Sequence, residues 1–210
     1  MQVLTLQAKN IYKNFVQNGQ VFEVLKDISY SFEQNKTYAI TGVSGTGKST
    51  FIHILAGIEV PTKGHVFNSL DADSVGIVFQ EPFLIKELSV VENIMIKGLI
   101  KNENYKDCHE RAIGFLKKIG LESKANKSPA ILSGGQKQRV AILRAIFNAP
   151  KFLLADEPTG NLDEKTATEI VDFLLQCAQE WNMGLIVSTH DINLQSRMDI
   201  TLKIENGVLK

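Results

Sequence analysis

The amino-acid sequence predicts an α/β fold. A mostly parallel sheet is flanked by helices, with an N-terminal antiparallel β subdomain and a helical subdomain inserted before the motif Leu132-Ser133-Gly134-Gly135-Gln136. Three observations predict it. The apolar runs Tyr38-Ala39-Ile40, Phe152-Leu153-Leu154-Ala155 and Leu185-Ile186-Val187 read as short buried strands, and each ends at polar residues suited to chemistry. A glycine-rich loop, Gly42-Val43-Ser44-Gly45-Thr46-Gly47-Lys48-Ser49-Thr50, joins the first run to the helix that continues through Phe51-Ile52-His53-Ile54-Leu55-Ala56. From residue 83 to about 131 the apolar spacing becomes helical, as in an insertion hung on an α/β core. The expected division is a β subdomain at about 1–36 and 61–80, a helical subdomain at about 82–134 and a core from the remainder of the 210 residues.

The loop carries the sharpest chemistry. A glycine-rich turn between a strand and a helix lets successive backbone N–H groups converge, and with the positive end of the helix dipole they form a phosphate cradle. In the pattern Gly-x-x-x-x-Gly-Lys-Ser, the P-loop, Lys48 would reach the β- and γ-phosphates and the Ser49 hydroxyl would ligate Mg²⁺. The bland alternative is a chance glycine turn before a helix. The Lys-Ser pair, correctly placed between strand and helix, weighs against it.

Composition narrows the partners. Lysine plus arginine number 23 and aspartate plus glutamate 23, so bulk charge gives no support for binding nucleic acid or another polyanion. No apolar run approaches the roughly 18 residues that span a bilayer, and Met1 to Thr5 lack a basic region followed by an apolar core. The expectation is a soluble, cytoplasmic chain. Cys108 and Cys177 lie far apart without metal-ligand spacing and read as reduced structural thiols.

From the N-terminus, residues 3–33 alternate as strands, with Val3, Leu6 and Ala8, then Val21, Val24 and Leu25, then Ile28, Tyr30 and Phe32. Asn18-Gly19 is a hairpin turn signal. Tyr12 and Phe15 sit in the first connection. A ring there could stack on a base, but on this stretch alone both read as core residues. Gln34-Asn35-Lys36 is a turn. After Gly57 and Pro61-Thr62-Lys63-Gly64, the runs His65–Phe67 and Val75–Phe79 read as the strands of a second hairpin. Gln80 closes the latter, where a glutamine could contact Mg²⁺ or the attacking water, or could equally be a solvated turn residue. Ser89-Val90-Val91-Glu92 reads as a capping box ahead of Ile94, Met95 and Leu99. Ala112, Leu116 and Ile119 are helix-spaced up to Gly120, and His109 reads as a surface residue.

Two further stretches carry chemistry. Ser133 is placed to N-cap a helix through Val140, Leu143 and Ala145, and Gly134 and Gly135 leave the free N–H groups unobstructed. The result is a second anion-binding helix terminus. Lys151 to Glu157 is a buried strand ending in two carboxylates. Asp156 would hold the Mg²⁺ shell and Glu157 would polarise a water for in-line attack on the γ-phosphate. Asn161-Leu162-Asp163 precedes a helix with Ala167, Ile170, Val171, Leu174, Ala178 and Trp181 on one face, Trp181 as packing. His190 ends the strand Leu185–Thr189, where ligands sit in open α/β sheets, and could hydrogen-bond the γ-phosphate. His53 and His65 lack such a placement and read as structural. Ile200 to Val208, around Glu205-Asn206-Gly207, predicts a closing hairpin.

The P-loop, Gln80, Leu132–Gln136, Leu153-Leu154-Ala155-Asp156-Glu157, Asn161–Asp163 and Ser188-Thr189-His190-Asp191, in this order, resemble an ABC-type ATP-binding cassette over nearly the whole chain. The resemblance implies a P-loop NTPase core of the RecA-like kind that uses ATP and Mg²⁺. Phe15 matches the aromatic that stacks on adenine, reversing the reading from its own stretch. Gly42, Ser44, Gly45, Thr46, Gly47, Lys48, Ser49 and Thr50 match the triphosphate cradle. Gln80 matches the residue sensing Mg²⁺ and the membrane partner, Asp156 the metal-shell acid, Glu157 the general base and His190 the switch histidine. Ser133, Gly134, Gly135 and Gln136 match the signature, which in this family contacts ATP held by the opposite subunit. The implied assembly is a head-to-tail homodimer around two ATP with Asp163 near the shared interface.

Asp156 to Asp163 is most similar to the branch of lipoprotein release, macrolide export and cell division, whose ATPases drive a transmembrane permease from the cytoplasmic face of the inner membrane. Asn35 stands where a glycine is usual, Lys36 replaces an acid, Ile200 replaces a residue that is basic in some relatives, and the segment between Phe67 and Gly76 is short. The alternative class is a soluble cassette not coupled to transport. Those relatives usually carry two cassettes or long insertions, and this chain has one compact cassette.

Overall fold

A computed structural model of the chain describes residues 4–68 and 74–210. Val3, the first residue expected in a strand, and most of the short segment after Phe67 lie outside the described residues. Two long strands, β1 (Thr5–Gln17) and β2 (Gln20–Glu33), form an antiparallel pair. Their turn, Asn18-Gly19, has φ of 52° and 76°, the left-handed pair that makes a two-residue loop match the strand twist. The strand β4 (Lys63–Asn68) pairs with the other edge of β1.

The second sheet holds β3 (Thr37–Thr41), β5 (Val75–Val78), β6 (Phe152–Asp156), β7 (Gly184–Ser188), β8 (Ile200–Glu205) and β9 (Val208–Leu209). Its order is β5-β6-β7-β3-β8-β9, parallel except for the closing β8–β9 hairpin at Asn206-Gly207. The expected hairpin of residues 65–67 with 75–79 does not form. β4 stays in the antiparallel layer, whereas β5 runs parallel to β6 at the edge of the core sheet. The reason is packing. Gly76 brings β5 so close to the helix behind it that a Cβ there would lie 2.6 Å from the Ala145 carbonyl oxygen.

Period-2 alternation distributes the core strands over two apolar clusters. Phe152, Leu154 and Ile186 face one side with Ile40, Leu6, Phe32 and the helix α1 (Lys48–Leu55). Leu153, Ala155, Leu185 and Val187 face the other, beneath α2 (Val90–Ile100), α4 (Gly134–Ile146) and α5 (Glu164–Glu180). The α3 helix (Tyr105–Lys118) packs on α2, and α6 (Ile192–Gln195) is a single turn. A sheet covered on both faces leaves its strand ends as the open surface, and those ends carry the chemistry.

Local rules account for the helix ends. Ser89 and Glu92 form the expected capping box, with Ser89 N–H donating to Glu92 Oε2 at 2.8 Å. The Ser89 hydroxyl, with its backbone N–H, holds the Glu92 carboxyl below its ordinary range. A carboxylate depressed in the folded state contributes stability above its unfolded value, which is lost as pH falls through the depressed one. Burial pushes the Cys177 thiol up to about 12, and both cysteines are free and buried, as inert structural thiols should be. Trp181 packs against Phe115, ring centres 5.6 Å apart, as expected of a structural residue.

Gly64, at φ 82°, lies where β4 crosses the bulge of β1, and a Cβ there would sit 2.0 Å from the Asn10 carbonyl oxygen. Gly64→Ala combines backbone strain with a main-chain clash. The expected cost is about 2–4 kcal/mol, read as a melting midpoint lower by roughly 5–15 °C for a domain of this size. A midpoint within 2 °C of wild type, roughly the shift of a half kcal/mol, would contradict the tight β1–β4 crossing.

Candidate functional site

The loop between β3 and α1 ends at Gly47, with φ 100°, which takes the N-cap position of α1 without a side-chain cap. The first N–H groups of α1 therefore have no side-chain acceptor and point into open space. A Cβ on Gly47 would fall 2.8 Å from the Val24 and Leu25 side chains, so the cradle admits no larger residue. Lys48 is only 5 % exposed and curls back over the loop. Its ammonium donates to the Gly42 carbonyl at 3.0 Å and the Val43 carbonyl at 3.3 Å, and lies 3.5 Å from Glu157 Oε1. Thr46 Oγ1 also turns inward, donating to Val43 at 2.9 Å.

At the second residue of α1, the Ser49 hydroxyl donates to Asp156 Oδ1 at 2.9 Å. Ser188, fully buried at the end of β7, donates to the same oxygen at 2.6 Å. His53, four residues after Ser49 and so on the same helix face, places Nε2 3.3 Å from Asp156 Oδ2. The ring N–H is poorly aligned and makes no hydrogen bond, so this is a contact of position rather than a formed bond. His53, expected to be structural, thus lies beside the Asp156 carboxylate. His65, by contrast, lies on β4 with its ring 4.0 Å from that of Phe67.

Glu157 follows directly, with φ 41°, a strained conformation for a non-glycine residue. Its N–H is held by the Ser188 carbonyl at 3.1 Å and the Ser188 hydroxyl at 3.0 Å. Its carboxylate faces Lys48 on one side and His190 Nδ1 on the other, each at 3.5 Å, with His190 itself 70 % exposed. Ser44, Gly45, Gly47, Lys48, Ser49, Thr50, Val24, Gln80 and Glu157 line one open cleft of about 380 Å³. Gln80 packs on Gly160, with its amide 3.5 Å from Asn161 Oδ1, at the outer limit of a hydrogen bond. Phe15 is half-exposed on the hairpin, paired with Phe22 two residues from the cleft residue Val24, with the Lys13 ammonium 4.9 Å from its ring centre.

The signature residues gather elsewhere. Ser133 caps α4 in a reciprocal box with Gln136, whose Oε1 also accepts from Lys124 at 2.9 Å. Asp163 caps α5, and the Thr166 hydroxyl and N–H hold its carboxyl below the ordinary range. The two helix starts touch: a Cβ on Gly135 would lie 2.4 Å from Thr166 Cγ2, and one on Gly134 3.3 Å from Leu162. None of Ser133, Gly134, Gly135, Gln136 and Asp163 lines the Lys48 cleft. The two sets of residues thus lie on separate surfaces of one chain.

The family model described as ABC transporter matches residues 25–160.

The chain belongs to the ABC transporter family.

Near-full-length relatives agree. The lipoprotein-releasing system ATP-binding protein LolD of Rickettsia bellii is 37 % identical over 99 % of this chain and 97 % of its own length. That of Syntrophus aciditrophicus is 39 % identical over 96 % and 97 %. Among solved structures, the dimeric post-hydrolysis state of the ATP-binding cassette MJ0796 bound to ADP and Pi is 33 % identical with a TM-score of 0.86, covering 98 % of this chain and 96 % of that one. The cbiO1 protein of Clostridium perfringens, part of the cbiONQ ABC transporter complex, is 28 % identical with a TM-score of 0.84, covering 100 % and 88 %. The chain is an ATPase subunit of an ABC transporter. No helix among its described residues is long and apolar enough to cross a membrane.

For an ABC ATPase, sequence reasoning misses three polar residues near the cleft. His53 shows itself only through the i,i+4 spacing from Ser49, Ser188 only through its place two residues before His190, and Arg144 not at all. Burial lowers the Arg144 guanidinium below its usual range, and it donates to the Pro82 and Phe83 carbonyls on the far side of Gln80.

Proposed function

We propose that this chain is the ATP-hydrolysing subunit of a lipoprotein-releasing type transporter, closing as a homodimer around two ATP and driving a separate transmembrane permease. One observation carries the reading: Lys48, Ser49 and Glu157 line a single cleft built on a bare helix N-terminus, with the Asp156 carboxylate held directly behind Ser49. The loop N–H groups and Lys48 bind the triphosphate. Phe15 offers its ring to adenine, in place of the Lys13 ammonium now over it. Ser49 and Asp156 supply hard oxygen donors 2.9 Å apart, a set that suits Mg²⁺, with Gln80 beside them. The ion, when bound, neutralises charge developing on the phosphates.

Glu157 takes the proton of the attacking water as general base, held in place through its N–H by Ser188. His190, on the opposite side of that carboxylate from Lys48, reaches the γ-phosphate and reports its loss. The second surface, at Ser133–Gln136 with Asp163 behind it, serves the ATP of the opposite subunit, which explains why it lies outside the cleft. Two copies head to tail make two complete sites.

The chain works as a peripheral subunit on the cytoplasmic face of the inner membrane. Phe83, 63 % exposed, and Ile85 place apolar surface next to Gln80, where a permease segment can dock. The test is capture of partners by the Glu157→Gln chain with ATP from detergent-solubilised native membranes. A co-purified permease with few spans and a large external domain is the expected result. Soluble partners alone would point to a cassette not coupled to transport.

A further inference from the structure

Gln80 hangs between two stretches of held backbone, and both holds come from α4. On one side the buried Gln138 amide donates to the Phe79 carbonyl at 3.0 Å. On the other, Arg144 forks onto the Pro82 carbonyl at 2.6 Å and the Phe83 carbonyl at 2.8 Å. Only Gln80 and Glu81 lie between, and both side chains are exposed. Arg144 has no carboxylate partner among the described residues, so this fork is where its donors go. Phe83 stands at φ 42°, a conformation that persists only where its surroundings over-determine it, and the fork on its carbonyl is such a determinant. The core sheet reaches Gln80 through the chain itself, two residues past the end of β5, while its side chain makes a 3.5 Å approach to Asn161 in the loop after β6.

We propose that Arg144, seconded by Gln138, is a positioning residue for ATP hydrolysis: it makes Gln80 ride on α4, so that the helix presenting Ser133–Gln136 to the opposite subunit's ATP also sets Gln80 in its own chain's cleft. The inference rests on the reading of Gln80 as a residue of the ATP site. A displacement of α4 imposed at its N-terminus then reaches Gln80 through two side chains, without passing through the sheet.

The experiment is a double-mutant cycle on the purified full chain with ATP, together with a nitroxide on Glu81→Cys. Both native cysteines are buried, which leaves the label site-specific. Arg144→Lys keeps the charge but replaces two separate nitrogens, one on each carbonyl, by a single nitrogen on a shorter side chain without the rigid planar fork. The expected result is a kcat lower by about tenfold with KM for ATP within about twofold, a double variant with Gln80→Ala no slower than Gln80→Ala alone, and a more mobile nitroxide. Gln138→Met carries the same expectation and replaces Arg144→Lys if that variant does not fold. Effects of Arg144→Lys and Gln80→Ala that multiply, or wild-type kcat with an unchanged nitroxide in a folded variant, overturn the proposal. If Gln80→Ala alone keeps wild-type turnover, the reading of Gln80 fails first and takes the proposal with it.

Discussion

Glu157→Gln is expected to bind ATP with near wild-type affinity and to turn it over at least about a hundredfold more slowly. The physical case is local. The substitution is isosteric, so the left-handed backbone at φ 41° and the N–H bonds to Ser188 are undisturbed. The amide oxygen can still accept from Lys48 across the 3.5 Å gap, and none of the donors of the loop is altered. What is lost is an oxygen able to take a proton. General-base catalysis of this kind contributes typically 10²–10⁴-fold, which sets the size of the effect. With turnover blocked, ATP should hold two chains together, and the variant should elute as a dimer with ATP and as a monomer with ADP. Measurement of phosphate release beside gel filtration decides it. Wild-type turnover in Glu157→Gln would sink the base assignment, whereas loss of ATP binding would mean that Glu157 shapes the cradle rather than the chemistry.

The same residues show how far a sequence can be read and where it stops. The loop from Gly42 to Thr50, the strand ending in Asp156 and the strand ending before His190 were legible because each couples a short apolar run to a polar end, a purely local signature. The turns at Asn18-Gly19 and Asn206-Gly207, the capping box at Ser89–Glu92 and the Ser133 cap follow from equally local rules. What failed was non-local. Val75–Val78 is an apolar run of the right length for a hairpin with His65–Phe67, and nothing in its own sequence says that its partner is β6, more than seventy residues on. His53 looks like any histidine on an apolar helix until the fold brings Asp156 to 3.3 Å from it. Arg144 is harder still, because its partners are main-chain carbonyls, which every residue possesses and no sequence pattern marks. Local chemistry names the strand ends; only the fold names what holds them.

Lys48→Met should remove ATP binding without unfolding the chain. The ammonium is nearly buried and divides its three donors among the Gly42 and Val43 carbonyls and the approach to Glu157. In the free chain those contacts offset its own desolvation, so an apolar residue of similar volume there leaves two carbonyls short of a donor but also removes a buried charge. The unliganded melting midpoint should therefore shift little. With the triphosphate the balance differs, because the ammonium would exchange weak carbonyl acceptors for charged phosphate oxygens, bonds that contribute about 1.5–3 kcal/mol each. Losing about 3 kcal/mol weakens binding by more than a hundredfold, at 1.4 kcal/mol per tenfold. Thermal shift reads both states at once. At ATP a hundredfold above the wild-type Kd, linkage stabilises wild type by about 2.7 kcal/mol and a variant bound a hundredfold more weakly by only about 0.4 kcal/mol. The midpoints should then rise by roughly 5–10 °C and about 1 °C respectively. Lys48→Arg should resemble Lys48→Met, since a planar guanidinium cannot fold into the space that the two loop carbonyls leave. Equal ATP-induced shifts in wild type and Lys48→Met would remove Lys48 from the phosphate site, and the cleft would then owe its affinity to the N–H groups of the loop alone.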